Sequence, residues 1–282
     1  MVVLLTGASG FIGTHTAQVL TEKKVSFLGL NKTGNGDYKK IDLKNPFNIR
    51  GDFSGIIHLA AKEYLEQNET VEEYFSNNFL GTVNILNFCR KKDIPRIVFS
   101  STMSVYGKAF SGKISEKTKT NPKSPYAESK KHAEDAIIDY SKKYGIDYAI
   151  LRYSTVFGPG QRSEGKLVEI FDTCLANKPI FFNKDSARNF VYAKDVARAN
   201  FLALKSKKNC TLNIAESKNI SWAQAASIIK KMLKSDSKIN IGEKSRSKFK
   251  IDIGLARKTI GFSPEFSFQE GIKETFETGR LH

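Results

Sequence analysis

Cysteine is scarce in this sequence: three residues, Cys89, Cys174 and Cys210, stand far apart in 282. An odd number at irregular spacing argues against a disulfide framework or a zinc site, and for a reducing compartment. Long apolar runs are missing too. Nothing approaches the ~18 residues of a membrane span. The N-terminal MVVLLTGASG has no basic stretch ahead of its apolar run, so no signal peptide is expected. The expectation is therefore a cytoplasmic protein with no membrane partner. Acids are also under-represented, 29 against 45 Lys and Arg, for a net charge of +16. Such a field attracts anions, whether nucleic acid, an acidic surface or a phosphorylated small molecule. The cations are dispersed, however, and groups such as Lys205, Lys207 and Lys208 read as solvated helix ends. No nucleic-acid partner is expected. There are no repeats and no low-complexity segment.

What is present is an alternation. Short apolar runs at 2–6, 25–30, 55–59, 96–100 and 148–151 read as buried parallel strands. Helical spacing over 11–22, 70–92 and 126–144 separates them. Strands alternating with helices predict an α/β fold with a doubly wound parallel sheet. After Gly158-Pro159-Gly160 the rhythm changes. Helices near 166–176 and 196–205 and a capping box at Ser221 and Gln224 suggest a smaller lobe that crosses back to the sheet.

Two motifs carry chemistry. TGASGFIG, with Gly7, Gly10 and Gly13, follows the first strand and opens the first helix. Glycines there permit a tight turn and a close approach to a pyrophosphate, which the helix N-terminus then faces. SPYAESKK places Tyr126 and Lys130 four residues apart, one turn along a helix face. An ammonium near a phenol favours the phenolate and would make Tyr126 a base. His58, after two isoleucines, reads as structural, and Trp222 as helix packing.

Taken in order, these segments resemble the extended short-chain dehydrogenases/reductases, the NAD-dependent epimerase/dehydratase family that includes UDP-glucose 4-epimerase. The resemblance rests on TGASGFIG, HLAA, NNFLGTVNIL, FSSTMSVYG, SPYAESK, LRYSTVFGPGQR and ARNFVYAKDVARA, and covers nearly the whole chain. It implies a Rossmann-type domain over 1–157 with a returning segment near 188–215. A smaller C-terminal substrate-binding lobe would comprise 158–187 and 216–282. It implies Tyr126 as general base and acid, and Lys130 lowering the pKa of Tyr126 and holding the nicotinamide ribose. Thr102 would be the catalytic hydroxyl, with Ser101 the alternative if the register slips. Against the cofactor it sets Gly7, Gly10, Phe11, Ile12, Gly13, Asn31, Lys32, Asp42, Leu43, Leu59, Ala60, Ala61, Asn77, Ser100, Tyr153 and Ser154. Thr102, Thr155, Arg188 and Arg246 would meet the substrate, Arg246 having a solvated surface role as its alternative. A homodimer through the helices at 70–92 and 126–144 is implied, with Phe88 and Ile138 as candidate interface residues.

The sequence departs from that family in three places. Where NAD-binding members carry an acid after the second strand, this chain has Asn31 and then Lys32, which leaves NAD and NADP both open. The usual Asn of the LRYFN segment is Thr155. The chain is also short in its C-terminal lobe. Two residues after Thr102 separate it from the dehydratases of the family: they are Met103 and Ser104, where those enzymes have Asp-Glu for elimination. The expectation is an epimerase of a nucleotide sugar at C4, with Tyr126, Lys130 and Thr102 as catalytic residues. An NADPH-dependent reductase of a keto-sugar nucleotide or other carbonyl is the alternative. A nucleic-acid-binding protein on a retired dehydrogenase scaffold is the rival from another class.

Overall fold

The computed structural model describes residues 2–33, 38–63, 70–107, 112–161, 165–244 and 249–278. One sheet dominates it. Its strands are β1 (Val2–Thr6), β2 (Phe27–Asn31), β3 (Lys39–Lys40), β4 (Phe53–His58), β5 (Arg96–Thr102), β7 (Asp147–Tyr153) and β12 (Cys210–Ile214). The order is β12-β7-β5-β4-β1-β2-β3, and every neighbouring pair is parallel. The order reverses between β1 and β4, the switch point where doubly wound sheets bind their ligands. Four two-stranded pairs complete the strands. They are β6 (Gly112–Ile114) with β15 (Phe249–Ile251), and β8 (Thr155–Phe157) with β11 (Phe190–Tyr192). The others are β9 (Ile180–Asp185) with β14 (Ile239–Lys244), and β10 (Ala187–Arg188) with β13 (Ile220–Ser221).

Local chemistry sets the helices. Helix α1 (Phe11–Glu22) starts at the glycine loop. The next helical stretch runs as α2 (Val71–Tyr74), a π-turn over Phe75–Leu80 and α3 (Gly81–Lys91). Helix α4 (Pro125–Tyr144) has Pro125 in its first turn, where the missing N–H costs nothing, and Ser124 accepts from the Ala127 N–H at 3.3 Å. It stops at Gly145, whose φ of +71° suits glycine. Helices α5 (Lys166–Leu175), α6 (Ala193–Lys205), α7 (Trp222–Leu233), α8 (Gly254–Ile260) and α9 (Phe268–Glu277) follow. The capping box at Ser221 and Gln224 is present on α7.

Apolar clusters cover both faces of the sheet, with Leu5, Ile57, Val98 and Leu151 on one face and Leu4, Ile56, Phe99 and Ile150 on the other. A further cluster gathers Phe157, Phe171, Phe190, Tyr192, Ile229 and Phe268 from the later elements, and another joins Met103, Val105, Ile114 and Ile251. Full burial of such a side chain contributes ~1.5–3 kcal/mol each. Asp195 on α6 ties the segment before α9 to the sheet, accepting from the Glu265 N–H at 2.9 Å and the Phe266 N–H at 3.2 Å. Phe88 corrects one expectation: it is 2% exposed and packs on Phe47 in the sheet core, so it cannot form part of a dimer face. The exposed apolar residues of these helices are Val71, Leu80 and Tyr144 instead. Among the described residues no helix is long and apolar enough to cross a membrane.

Candidate active site

The glycine loop is shaped by close approach. Gly7 has φ +68°, and a Cβ there would meet Ala60 N at 2.9 Å. At Gly13 a Cβ would sit 1.9 Å from the Gly7 carbonyl oxygen. A side chain at Gly7 would collide with the chain leaving β4, and one at Gly13 would push α1 away from the loop, so the sequence keeps the helix N-terminus bare and close to the cleft. That cleft is lined by Gly7, Gly10, Asn31, Asp42, Ala60 and Asn77, among others, and encloses about 340 Å³. Lys32, Leu43 and Ala61 also border it. Phe11 and Ile12 form the first turn of α1. Asn31 is buried, and its Nδ2 has no partner. A bare cradle and an orphaned donor at the switch point fit a dinucleotide.

His58 orders the floor of this cleft. The Thr82 hydroxyl donates to the Asn78 carbonyl at 2.6 Å, so it can only accept from His58 Nε2 at 3.0 Å. Nδ1 is then the acceptor for Thr6 Oγ1 at 2.7 Å. Thr6 Oγ1 in turn accepts from the Leu59 and Ala60 N–H groups at 3.2 and 3.1 Å. Burial, then the charge of Lys130, pulls the imidazole down to about 3, so it stays neutral and keeps this tautomer. The structural reading of His58 holds. Asn78, which the sequence reading passed over for Asn77, clamps the same loop. It accepts from the Lys62 N–H at 2.7 Å and donates to the Lys62 carbonyl at 3.1 Å and to Ser129 Oγ on α4 at 3.0 Å. The π-turn adds one residue to that helix and swings Asn78 inward; period-3.6 reading cannot see such an insertion.

At the carboxyl ends of β5 and β7 the expected catalytic side chains converge. Thr102 closes β5, and its hydroxyl is hydrogen-bonded with Tyr126. Ser101 points the other way, donating to Glu134 Oε1 at 2.5 Å. Ser100 is buried within β5. Lys130 lies one turn beyond Tyr126, 2% exposed, with its ammonium 4.1 Å from the centre of the Phe99 ring. Burial lowers it to about 7, against the opposing pull of Glu134. Tyr126 corrects the expectation about its own acidity. It is pushed above the usual phenol range by burial first and by the charge of Glu63 second, with the Thr102 bond opposing. Glu63, on the segment after β4, is a second residue the sequence reading missed.

Behind these groups stands a buried ion pair. Arg152 donates from Nε to Glu134 Oε1 at 2.9 Å and from Nη2 to Oε2 at 2.6 Å. Its Nη1 donates to the Tyr106 hydroxyl at 2.8 Å, and Tyr106 donates to Asn213 Oδ1 at 2.9 Å. Burial opposes the Arg152 charge, but the bonds and charge of Glu134 overcome it and hold the guanidinium above its ordinary pKa. This network joins β5, β7, α4 and β12 directly beside Thr102, Lys130 and Tyr153. A signal for it was available: Glu134 follows Lys130 by one more helical turn.

A second cleft of about 480 Å³ opens in front of Thr102, within the range of small-ligand sites. Ser104, Lys123, Ser154, Thr155 and Arg188 line it. Tyr153 borders it while its hydroxyl donates to Asn200 Oδ1 at 2.5 Å. Ser154 Oγ is buried with no partner. The Arg188 guanidinium lies 5.7 Å from the Trp222 ring centre. Asn189 below it fixes the wall, donating to the Glu216 carbonyl at 2.8 Å and accepting from the Glu216 N–H at 2.9 Å. Met103 is buried and lines the cleft, and carries no proton. Arg246 lies outside the described residues. Among the described residues no group of three or more His, Cys, Asp or Glu could hold a metal.

Comparison with known proteins agrees with this geometry. Residues 3–215 match the NAD dependent epimerase/dehydratase family. The chain is 36% identical to a putative UDP-glucose 4-epimerase of Methanocaldococcus jannaschii, over 96% of each chain. It is 30% identical to the UDP-glucuronate 4-epimerase of Thermodesulfobacterium geofontis, over 96% of this chain and 94% of that one. The crystal structure of UDP-glucuronic acid 4-epimerase from Bacillus cereus in complex with NAD superposes over 100% of both chains with a TM-score of 0.84, at 27% identity. This chain belongs to the NAD-dependent epimerase/dehydratase family.

Proposed function

We propose that this chain is a nucleotide-sugar 4-epimerase in which Tyr126, Thr102 and Lys130 are the catalytic residues. The observation that carries the reading is the hydrogen bond between Tyr126 and Thr102, which lines the front cleft, with Lys130 one turn further along α4. Similarity to UDP-glucose and UDP-glucuronate 4-epimerases supports it.

The residues of the rear cleft suit a nicotinamide dinucleotide, with the pyrophosphate against the bare start of α1. When bound, the nicotinamide supplies the oxidant that takes the C4 hydride and later gives it back. Tyr126, in its phenolate form, takes the 4-hydroxyl proton and returns it after the sugar has turned. Thr102 donates to the same sugar oxygen and orients it. Lys130, held nearly without polar partners, offers its N–H groups to the nicotinamide ribose. Arg188 and Lys123 give the front cleft the positive charge that a diphosphate needs. Thr155 stands there with a shorter donor than the family's asparagine. Among the described residues lining the front cleft, Met103 and Ser104 included, there is no carboxyl pair to serve as acid and base for elimination, so the C6 substituent is retained in this reading. The helices carrying Val71, Leu80 and Tyr144 form a homodimer contact in this reading.

Incubation with UDP-glucose, UDP-galactose and UDP-glucuronate, followed by NMR of the sugar, tests the function. A C4 epimer of the same mass is the expected product. A product lighter by one water, or net consumption of NADPH without epimer, would overturn the epimerase reading. The second outcome would favour the reductase of a keto sugar, which Asn31 and Lys32 make the alternative.

A further inference from the structure

The strand-end side chain that normally recognises the adenine ribose is inverted here in its hydrogen-bonding sense. Asn31 ends β2 at the floor of the rear cleft, 6% exposed. Its Oδ1 already accepts the Ser9 N–H at 3.1 Å. Its Nδ2 is buried without a partner. A carboxylate at this position accepts from both ribose hydroxyls and repels a phosphate. An amide whose oxygen is already held by the loop adds no negative charge to the cleft and keeps its N–H groups unspent.

The surroundings agree in sign. Lys32 and Lys44 line the same cleft. Lys40 lies in register opposite Asn31 on the neighbouring strand. The carboxylate lining the cleft among the described residues is Asp42, whose Oδ1 accepts the Lys44 N–H at 3.1 Å. Its other oxygen is 4.0 Å from Lys32 Nζ, a long pair between partly exposed groups that holds the lysine weakly. Lys32, 61% exposed, is free to turn onto another anion. A phosphate monoester has oxygens that accept from an amide and pair with an ammonium.

We infer that the rear cleft accepts a 2′-phosphate on the adenine ribose, so that the chain binds NADP more tightly than NAD. The inference rests on reading that cleft as the dinucleotide site. Lys32 is the group that meets the phosphate, and the uncharged Asn31 amide in place of a carboxylate is what admits it.

The test is calorimetric titration of protein stripped of nucleotide with NAD⁺ and with NADP⁺. The expected result is at least tenfold tighter binding of NADP⁺. Lys32→Ala, a change at an exposed side chain, should weaken NADP⁺ at least tenfold and leave NAD⁺ within twofold. Asn31→Asp should reverse the preference, with circular dichroism and the retained NAD⁺ affinity reporting that the variant is folded. Tighter binding of NAD⁺ by the unaltered protein, or a Lys32→Ala variant with unchanged NADP⁺ affinity, overturns the inference while leaving the dinucleotide reading intact. If neither nucleotide binds, both fall together.

Discussion

Replacing Glu134 by alanine would strand the Arg152 guanidinium in the protein interior. The side chains of the pair are 1% and 8% exposed, so water cannot take over from the lost carboxylate. Three hydrogen bonds to Glu134 disappear at once, two from Arg152 and one from Ser101. Breaking a buried pair from one side typically costs ~3–5 kcal/mol. At a few degrees per kcal/mol for a chain of this size, the midpoint of thermal unfolding should fall by roughly 6–15 °C. The loss reports an uncompensated charge, not the net worth of the pair. Glu134→Leu with Arg152→Met, which removes both charges at similar volume, should therefore recover at least half of it. Urea unfolding followed by circular dichroism, with equal m-values required across the three proteins, measures the difference. A single variant that loses less than about 1 kcal/mol would refute the reasoning. So would a double variant no more stable than the single.

The remaining predictions address the site directly. Tyr126→Phe should lower kcat/KM by more than tenfold, about 1.4 kcal/mol, with dinucleotide affinity unchanged, whereas Lys130→Ala should damage both; steady-state rates and titration separate them. Lys130→Met should stabilise the free protein. The folded-state pKa of Lys130 is depressed to about 7 from 10.5, so the native state sheds its proton first and stability rises with pH across that window. The gain from removing the lysine is accordingly largest below pH 7 and fades towards pH 10.5, which melting curves at several pH values will read. Glu63→Gln removes a negative charge that raises Tyr126, so the rising limb of the pH–rate profile, set by deprotonation of this base, should move to lower pH. Light scattering at micromolar concentration should give a dimer, and Leu80→Glu, at an exposed position of the π-turn, should shift it to monomer.

How much of this was legible depends on the range of the forces involved. Helix α1 falls on the expected residues because its start is set by neighbouring glycines, a purely local constraint. The expected strand at 148–151 lengthened to Asp147–Tyr153, since a parallel partner on each side extends pairing beyond the apolar run. Thr102 followed from the family resemblance, by counting back from Val105-Tyr106-Gly107, and the two-residue period of a strand puts Ser101 on the other face, where it meets Glu134. Phe88 was misjudged because α3 is covered on more than one side, so an apolar residue off its main stripe still meets core. The acidity of Tyr126 was misjudged for a related reason. Spacing on a helix gives proximity along the chain, but the side chain's direction is set by Phe99, which arrives from the sheet.

That last point bears on how the site works. Two cations, Lys130 and Arg152, approach a single buried carboxylate. Both oxygens of Glu134 are committed to Arg152, and Ser101 takes a further lone pair. Lys130 receives only the attenuated field of that pair and the face of an aromatic ring. Had Lys130 captured Glu134, its ammonium would be locked in an ion pair, with its proton bound well above neutral pH. Because Arg152 holds the carboxylate instead, Lys130 keeps its donors unspent beside Tyr126 and near its own midpoint at neutral pH. A ligand hydroxyl entering the cleft then meets an ammonium that gains a hydrogen bond without first breaking one, and the buried pair is what keeps it so.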